Sequence, residues 1–288
     1  MSVSSKLCSF DWLGICLVST AYVLFALVFS MGGSRWAWNA GSTIALIVLF
    51  GVASITFAVT QHFCVFTSRQ NRVLPAHFFQ NWDLAGSFLC IACGIGSIFI
   101  SIYYIPLYFL FVHGESGTQS AIRMLPYVCT YITGVVTCGL LMKRTGYPIV
   151  CYIAASILLV VGSALWSTVN ETTAMATTYG YSILVGFGMT TTQAGFSLGP
   201  QIVNAADAPD VIRFLTIAQQ SGQVTVLVIA SAIFQNLTFD KLKRILQGTG
   251  YSDSDIQAAM AGTKSRMLES LSPQLRQRCI QAIRSHAA

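Results

Sequence analysis

Three glutamines are the side chains of this sequence that are best suited to bind a ligand. Gln219 and Gln223 lie four residues apart in an apolar segment, so they would share one face of a helix. Gln193 follows three threonines in another apolar segment, where its amide could bind a ligand or join two helices by a hydrogen bond. Because polar side chains in apolar segments need a partner or a cavity, these glutamines predict one polar face of a substrate pathway.

Two neighbouring tyrosines form a second candidate. Tyr103 and Tyr104 lie near Pro106, towards the end of an apolar segment. This position fits an aromatic belt at a membrane interface, and it also fits an aromatic wall beside a hydrophobic substrate. We therefore include both tyrosines in the predicted substrate pathway.

Patterns of catalysis and metal binding are missing from the sequence. It contains no Gly-x-Ser-x-Gly motif, no Walker-type loop and no acidic pair within an apolar segment. The four histidines are scattered, and the nine cysteines lack the spacing of a disulfide framework or a metal site. The sequence therefore predicts a protein that is not an enzyme, uses no cofactor and holds no metal.

The composition indicates where these side chains must lie. The chain is 54% hydrophobic and only 9% charged, whereas ordinary soluble domains carry about 25% charged residues. Its net charge of +6 comes from short basic clusters between apolar segments, which favours membrane topology signals over nucleic-acid binding. We predict an integral membrane protein with the lipid bilayer as partner and no nucleic acid.

Apolar segments of suitable length predict an all-α protein with about seven transmembrane helices. About 20 residues at 1.5 Å each cross a hydrocarbon core of roughly 30 Å, and none of the segments shows the alternation of a barrel strand. The predicted spans are residues 12–31, 41–60, 84–111, 124–142, 149–169, 177–203 and 211–234.

Basic residues in the connections predict the orientation. One side of the predicted topology carries most of them, which makes that side cytoplasmic: Lys6, Arg69, Arg72, Lys143, Arg144 and Arg213. The other side holds Arg35 and Arg123. Seven spans would place the basic tail outside, so we expect either a further span beyond residue 288 or a last segment that does not insert.

Residues 177–203 are unusually rich in glycine and polar side chains for a span. Gly195 and Gly199 form a Gly-x-x-x-Gly pair that suits close helix packing, and Pro200 permits a bend. Two glycosylation sequons, at Asn170 and Asn236, lie on the predicted outer side.

Several short motifs, in order, resemble the C-terminal part of a transporter family. They are Asp-Trp-Leu-Gly at 11–14, Gly-Gly at 32–33, Trp-Ala-Trp at 36–38, Tyr-Tyr-Ile-Pro-Leu-Tyr-Phe at 103–109, Gly-Thr-Gln-Ser-Ala at 117–121 and Met-Leu-Pro at 124–126. Over residues 11 to about 240 the chain is similar to fungal drug:proton antiporters of the major facilitator superfamily with fourteen spans. This resemblance implies a partial major facilitator fold.

The resemblance also implies a division of the chain. Residues 1–11 would be a cytoplasmic N-terminus, 12–60 two linker-type spans, 61–83 a cytoplasmic loop, 84–237 five spans of the second transporter half, and 238–288 a basic polar tail. Gly139, Lys143, Arg144 and Gly146 resemble the second copy of the family's cytoplasmic loop motif. Lys143 occupies the place of an acidic residue in that motif, which argues against a charge relay there.

The implied function is export of a small hydrophobic secondary metabolite or toxin by proton antiport. The transporter would lie in the plasma membrane or in a vacuolar or vesicular membrane. Family members carry a first half and one more final span, so we expect a truncated transporter. It would be complete only if another membrane chain supplies the missing half or if the gene extends beyond this sequence. The alternative is a non-transporting relic or accessory protein that binds a transporter or a biosynthetic enzyme.

Overall fold

The computed structural model describes residues 10–33, 36–68, 71–169 and 173–246. Within these ranges the chain is helical, and its one extended feature is an isolated bridge between Gly32 and Trp36. The prediction of an all-α membrane protein is confirmed. Nine α-helices in the described residues are named here in chain order: α1 Trp12–Met31, α2 Gly41–Phe63, α3 Trp82–Val112, α4 Gly117–Arg123, α5 Leu125–Thr145, α6 Pro148–Trp166, α7 Met175–Gly188, α8 Ala194–Leu198 and α9 Ala208–Ile245.

Six helical stretches in the described part of the chain are long and apolar enough to cross a membrane. They are Trp12–Met31, Gly41–Phe63, Trp82–Leu110, Gly117–Thr145, Ile149–Trp166 and Ala208–Ile245. The first coincides with the predicted span. The last continues past residue 237, where the sequence predicted the start of a polar tail.

The predicted span 177–203 is not one continuous helix. Helix α7 has 14 residues and is followed by 3-10 turns at Met189–Gln193 and Gly199–Gln201, with the short α8 between them. The hydroxyls of Thr190 and Thr191 donate to the carbonyls of Phe187 and Gly188, three residues back, at 2.8 and 2.9 Å. Glycines lower helix propensity and Pro200 lacks a backbone donor, so this composition interrupts the helix.

Helix ends follow local sequence signals. Asp11 caps α1 by accepting a hydrogen bond from the Gly14 amide at 2.8 Å. Ser116 and Gln119 form a capping box at the start of α4. Helix α5 ends at Thr145 and is capped by Gly146, whose φ of 70° is a left-handed conformation that glycine adopts without steric cost.

The chain divides into two compact units. Among the described residues, the first unit consists of those up to residue 96 and of 192–229, and the second of those between 97 and 191 and of those from 230 onwards. Helices α3 and α9 each contribute residues to both units.

Glycines bring helices close together in the first unit. A side chain at Gly222 of α9 would overlap the backbone of Ala92 in α3. A Cβ atom at Gly195 would lie 2.5 Å from Cδ1 of Ile91, and one at Gly199 would lie 2.9 Å from Cδ1 of Leu215. These contacts require the small residues at the helix surfaces.

Helix α7 packs against α5 and α6 in the second unit. A Cβ atom at Gly186 would lie 2.5 Å from the Tyr127 carbonyl oxygen of α5, and one at Gly188 would overlap the backbone of Leu159 in α6. Side chains at either position would therefore push α7 away from its neighbours.

Candidate functional site

The first unit contains a buried polar cluster around Asp11, which we call the Asp11 cluster; it comprises Asp11, Gln61, Arg72, His77 and the backbone of residues 73–74. Asp11 is only 3% exposed. Its carboxylate accepts hydrogen bonds from the Gly14 amide at 2.8 Å, Gln61 Nε2 at 2.6 Å and the Val73 amide at 3.2 Å. All three donors are uncharged, and together they link the start of α1, the end of α2 and the following loop.

Gln61 is the second centre of the Asp11 cluster and is 1% exposed. Its Nε2 donates to Asp11, while its Oε1 accepts from the Leu74 amide at 2.9 Å. Both ends of the amide are therefore paired, as a buried side chain of this kind requires.

Arg72 brings a cation into the same cluster, with 5% of its surface exposed. One guanidinium nitrogen donates to the Gln61 carbonyl at 3.4 Å and another pairs with Nδ1 of His77. The Arg72 carbonyl accepts a hydrogen bond from Arg213 at 3.0 Å, and Arg213 also pairs with Asp210 at 2.8 Å. The loop after α2 is thereby joined to the first turns of α9.

The sequence pattern does not predict the Asp11 cluster. It indicates a polar N-terminus for Asp11 and a role in membrane topology for Arg72. One signal was available, because an Asp directly before an apolar helix is a typical N-cap. Nothing in the sequence pattern indicated that Gln61 and the backbone of residues 73–74 would meet that carboxylate.

The second unit contains a cavity of about 420 Å³, which we call the Tyr104 cavity. Its walls come from α3, from the end of α6, from α7 and from α9. Three aromatic side chains and three serines line it, and the other wall residues are aliphatic; the six are Tyr104, Trp166, Phe234, Ser101, Ser163 and Ser167. None of the wall residues carries a charge.

Most polar groups in these walls are engaged within the protein. The Tyr104 hydroxyl donates to the Ala230 carbonyl at 2.7 Å. Ser101 and Ser167 donate to carbonyls of their own helix turns, Ser97 at 3.0 Å and Ala164 at 2.7 Å. The indole N–H of Trp166 differs, because it is buried and has no hydrogen-bond partner in the described structure.

Of the residues predicted for a substrate pathway, Tyr104 lines this cavity. Tyr103 is 46% exposed and its ring meets that of Tyr104 edge-on. Gln193, Gln219 and Gln223 belong to the first unit, where each is half-buried, and none of them is a wall residue of the Tyr104 cavity. Their place on a substrate pathway stays a prediction.

The loop motif lies at the end of α5. Lys143 and Arg144 are exposed in the last helical turn, where a cation is favoured by the helix dipole. Gly146 caps the helix, and Gly139 faces open space. This arrangement supports a turn with a basic surface.

Other predicted positions fall in varied surroundings. Asn236 lies within α9, where its amide donates to the Ala232 carbonyl at 2.9 Å, and Pro200 lies in a 3-10 turn. Asn170 lies outside the described residues. Arg123, at the outer end by prediction, forms a partly exposed ion pair with Glu115 at 2.8 Å and bonds to Tyr179.

Across the described ranges, no group of three or more His, Cys, Asp and Glu could hold a metal ion.

No family model matches the sequence. Individual relatives do match along nearly the whole chain. It is 43% identical over 98% of its length to "Efflux pump patC" of Aspergillus clavatus, covering 51% of that protein. It is 40% identical over 98% of its length to "MFS-type transporter patC" of Penicillium expansum, covering 52%. It is 31% identical over its full length to the "Phomenoic acid biosynthesis cluster MFS-type transporter" of Leptosphaeria maculans, covering 49%.

Six apolar helices and the uncharged cavity define a multi-pass α-helical membrane protein. Two of these relatives are named as MFS-type transporters, and the similarity along nearly the whole chain confirms the predicted resemblance to part of a major facilitator superfamily transporter. The chain spans about half the length of the curated relatives it matches. Those relatives are named as transporters and pumps, not as enzymes.

Proposed function

We propose that the chain is part of a secondary transporter that exports a small hydrophobic secondary metabolite or toxin by proton antiport. The observation that carries this proposal is the 43% identity, along 98% of the chain, to a protein named as an efflux pump. A further relative is named for a biosynthesis cluster, which supports a secondary metabolite as substrate. The long apolar helices suit the lipid bilayer in which such a carrier works.

The proposed substrate pathway combines Gln193, Gln219, Gln223, Tyr103 and Tyr104. Carriers of this kind bind substrate at the interface of two structural repeats. The half-buried amides offer both donors and acceptors, and the tyrosines offer an apolar face with a polar tip. The opposite side of such a site would come from the other transporter half.

The proposed location is the plasma membrane, with Lys143 and Arg144 on the cytoplasmic side. A glycosidase-sensitive mobility shift that disappears in Asn170→Gln supports this orientation. Modification of a glycosylation site engineered next to Lys143 would contradict it.

Deletion of the gene tests the proposed export. The partition of the host's secondary metabolites between cells and medium is compared before and after deletion, and we expect the intracellular fraction to rise. Restoring the gene with Gln219→Leu or Gln223→Leu should recover export only partly, whereas Gln220→Leu, at an exposed position on the same helix, should recover it fully. An unchanged partition after deletion would contradict the transporter proposal.

A further inference from the structure

Tyr22 lies near the middle of α1, where its hydroxyl is far from either end of the span. A tyrosine at a membrane interface can turn its hydroxyl to water, but one at mid-span needs a partner within the protein. Ser221 of α9 is that partner. The Ser221 hydroxyl proton is already donated to the Ile217 carbonyl at 2.7 Å, so Tyr22 donates and Ser221 Oγ accepts. Helix α1 is thereby bonded to α9 within the apolar layer.

Ser221 lies on the side of α9 that is opposite the two glutamines of the proposed pathway. Successive residues of a helix are about 100° apart around its axis, so Ser221 is about 160° away from both Gln219 and Gln223. Both glutamines are half-buried, whereas Gln220, on a third side of the helix, is exposed. The contact with Tyr22 therefore holds α9 from behind and turns the glutamine face away from α1.

Helix α3 contacts α9 through small residues, which fix distance rather than rotation. A Cβ atom at Gly222 would overlap the Ala92 carbonyl, and one at Gly96 would lie 2.5 Å from Cγ2 of Val226. Such van der Waals contacts have little directional preference, whereas a hydrogen bond weakens steeply when its angle changes. The bond from Tyr22 is therefore better suited than the glycine contacts to hold one rotation of α9.

The start of α9 has an anchor of its own. Arg213 donates to the Arg72 carbonyl at 3.0 Å, and the ring of Phe214 lies 4.8 Å from those of Phe79 and Phe88. Ser221 comes eight residues after Arg213, which is about 12 Å further along the helix. Tyr22 thus provides a second fixed point, at the height of the glutamines.

We propose that Tyr22 is a positioning residue for the proposed transport site. Its hydrogen bond to Ser221 sets the rotation of α9 and keeps the amides of Gln219 and Gln223 turned towards the substrate pathway. This inference rests on the proposed function, because that function assigns the two glutamines to the pathway. It gives α1, which the sequence predicts as a linker-type span, a direct part in shaping the site.

Cysteine labelling measures the rotation of α9 without transport. The full chain with Gln220→Cys or Gln223→Cys is placed in phosphatidylcholine nanodiscs and treated with N-ethylmaleimide, and labelled peptides are quantified by mass spectrometry. We expect position 220 to react faster than position 223, because Gln220 is the more exposed. Tyr22→Phe should lower the ratio of the two rates about threefold, which is the factor that an average hydrogen bond between membrane helices provides. An unchanged ratio would overturn the proposal.

A double-mutant cycle tests whether Tyr22 acts through Ser221. Ser221→Ala should change the labelling ratio as much as Tyr22→Phe, and the double variant should show no further change. Ser221→Thr, which keeps the hydroxyl, should retain the wild-type ratio. Thr216→Val is the control, because the Thr216 hydroxyl donates to the Ile212 carbonyl of its own helix turn at 2.8 Å, and its effect should add to that of Tyr22→Phe. Additive effects of Tyr22→Phe and Ser221→Ala would contradict the proposal.

Export from the deletion strain separates this inference from the proposed function. With metabolite partition normalised to the amount of protein in the membrane, Tyr22→Phe should recover export about threefold less well than wild type. Tyr147→Phe, at a side chain 73% exposed, should recover it fully. If deletion itself leaves the partition unchanged, the proposed function fails, and the labelling ratio still decides whether Tyr22 sets the rotation. If deletion changes the partition but Tyr22→Phe exports as well as wild type, the positioning role is overturned.

Discussion

The Asp11 cluster and the Tyr104 cavity show two ways in which apolar helices accommodate polar side chains. In the cluster, the Asp11 carboxylate and the Gln61 amide pair with each other and with backbone N–H groups. The Arg72 guanidinium donates to the Gln61 carbonyl, while its buried Nε has no partner in the described structure. In the cavity, no wall residue is charged and one buried donor is left without a partner. The cluster thus joins three segments of the chain through shared polar contacts, whereas the cavity is bounded mainly by apolar side chains.

The energetic basis of this difference is the cost of burying polar groups. A buried polar group is tolerated when it is hydrogen-bonded, and removing its partner exposes the full desolvation cost. Substitutions in the cluster should therefore reduce stability more than substitutions in the cavity walls.

Asp11→Ala should have the largest effect on stability. It leaves the Gln61 amide and the Gly14 and Val73 N–H groups without their acceptor, and each buried unpaired donor costs about 1–3 kcal/mol. We expect a loss of roughly 3 kcal/mol or more, measured by thermal unfolding of the purified chain in detergent. Asp83→Ala, at an exposed acid in the first turn of α3, is the control. Equal losses in the two variants would contradict a structural role for the cluster.

Glycine substitutions test close helix packing, which occurs in both units. They should therefore lower the stability of the protein by similar amounts in either unit. Gly222→Ala in the first unit and Gly188→Ala in the second place a methyl group against backbone atoms of a neighbouring helix. We expect each to cost about 1–3 kcal/mol in the same unfolding measurement.

Gly180→Ala provides the control for these packing variants, because its position in α7 faces open space. Replacing a helical glycine there should stabilise the protein by about 0.5–1 kcal/mol. A loss of stability at Gly180 as large as that at Gly188 would show that packing against Leu159 is not the cause.

Tyr104→Phe should have a smaller effect, since it removes one hydroxyl that donates to the Ala230 carbonyl. We expect a loss of about 1 kcal/mol, the typical value of a single hydrogen bond. Tyr103→Phe, at a more exposed ring, should change the unfolding temperature less. The reverse order would argue against the bond between α3 and α9.

Ser167→Ala should have the smallest effect. This exposed hydroxyl in the cavity wall bonds to the Ala164 carbonyl of its own helix turn, and that carbonyl can be solvated instead. We expect a change within about 0.5 kcal/mol of wild type. A loss approaching that of Asp11→Ala would remove the contrast between the two regions.

The sequence predicted the helices better than the sites. Apolar length determines a span, so Trp12–Met31 was predicted at both ends. The break after Gly188 was missed because polarity and glycine content were interpreted as packing within one helix. The hydroxyls of Thr190 and Thr191 stabilise that break by donating hydrogen bonds to carbonyls three residues back, and a hydropathy pattern does not detect such bonds.

The two sites could not be derived because their residues are distant in sequence. Asp11 and Gln61 are 50 residues apart, and no periodic pattern links them. The Tyr104 cavity depends on space between side chains of four helices, which a single sequence does not encode in a readable form. Tyr104 was identified because an aromatic residue near a span end is recognisable from type and position alone.

The bond from Arg213 to the Arg72 carbonyl also sets an order of events during synthesis. Its two residues are 141 positions apart, so at roughly 5–20 residues per second the ribosome needs about 7 to 28 s to make the second partner. Helices α1 and α2 must therefore enter the membrane with the loop after them still lacking its anchor. The first unit can therefore close only after residue 213 has been made, long after its first two helices.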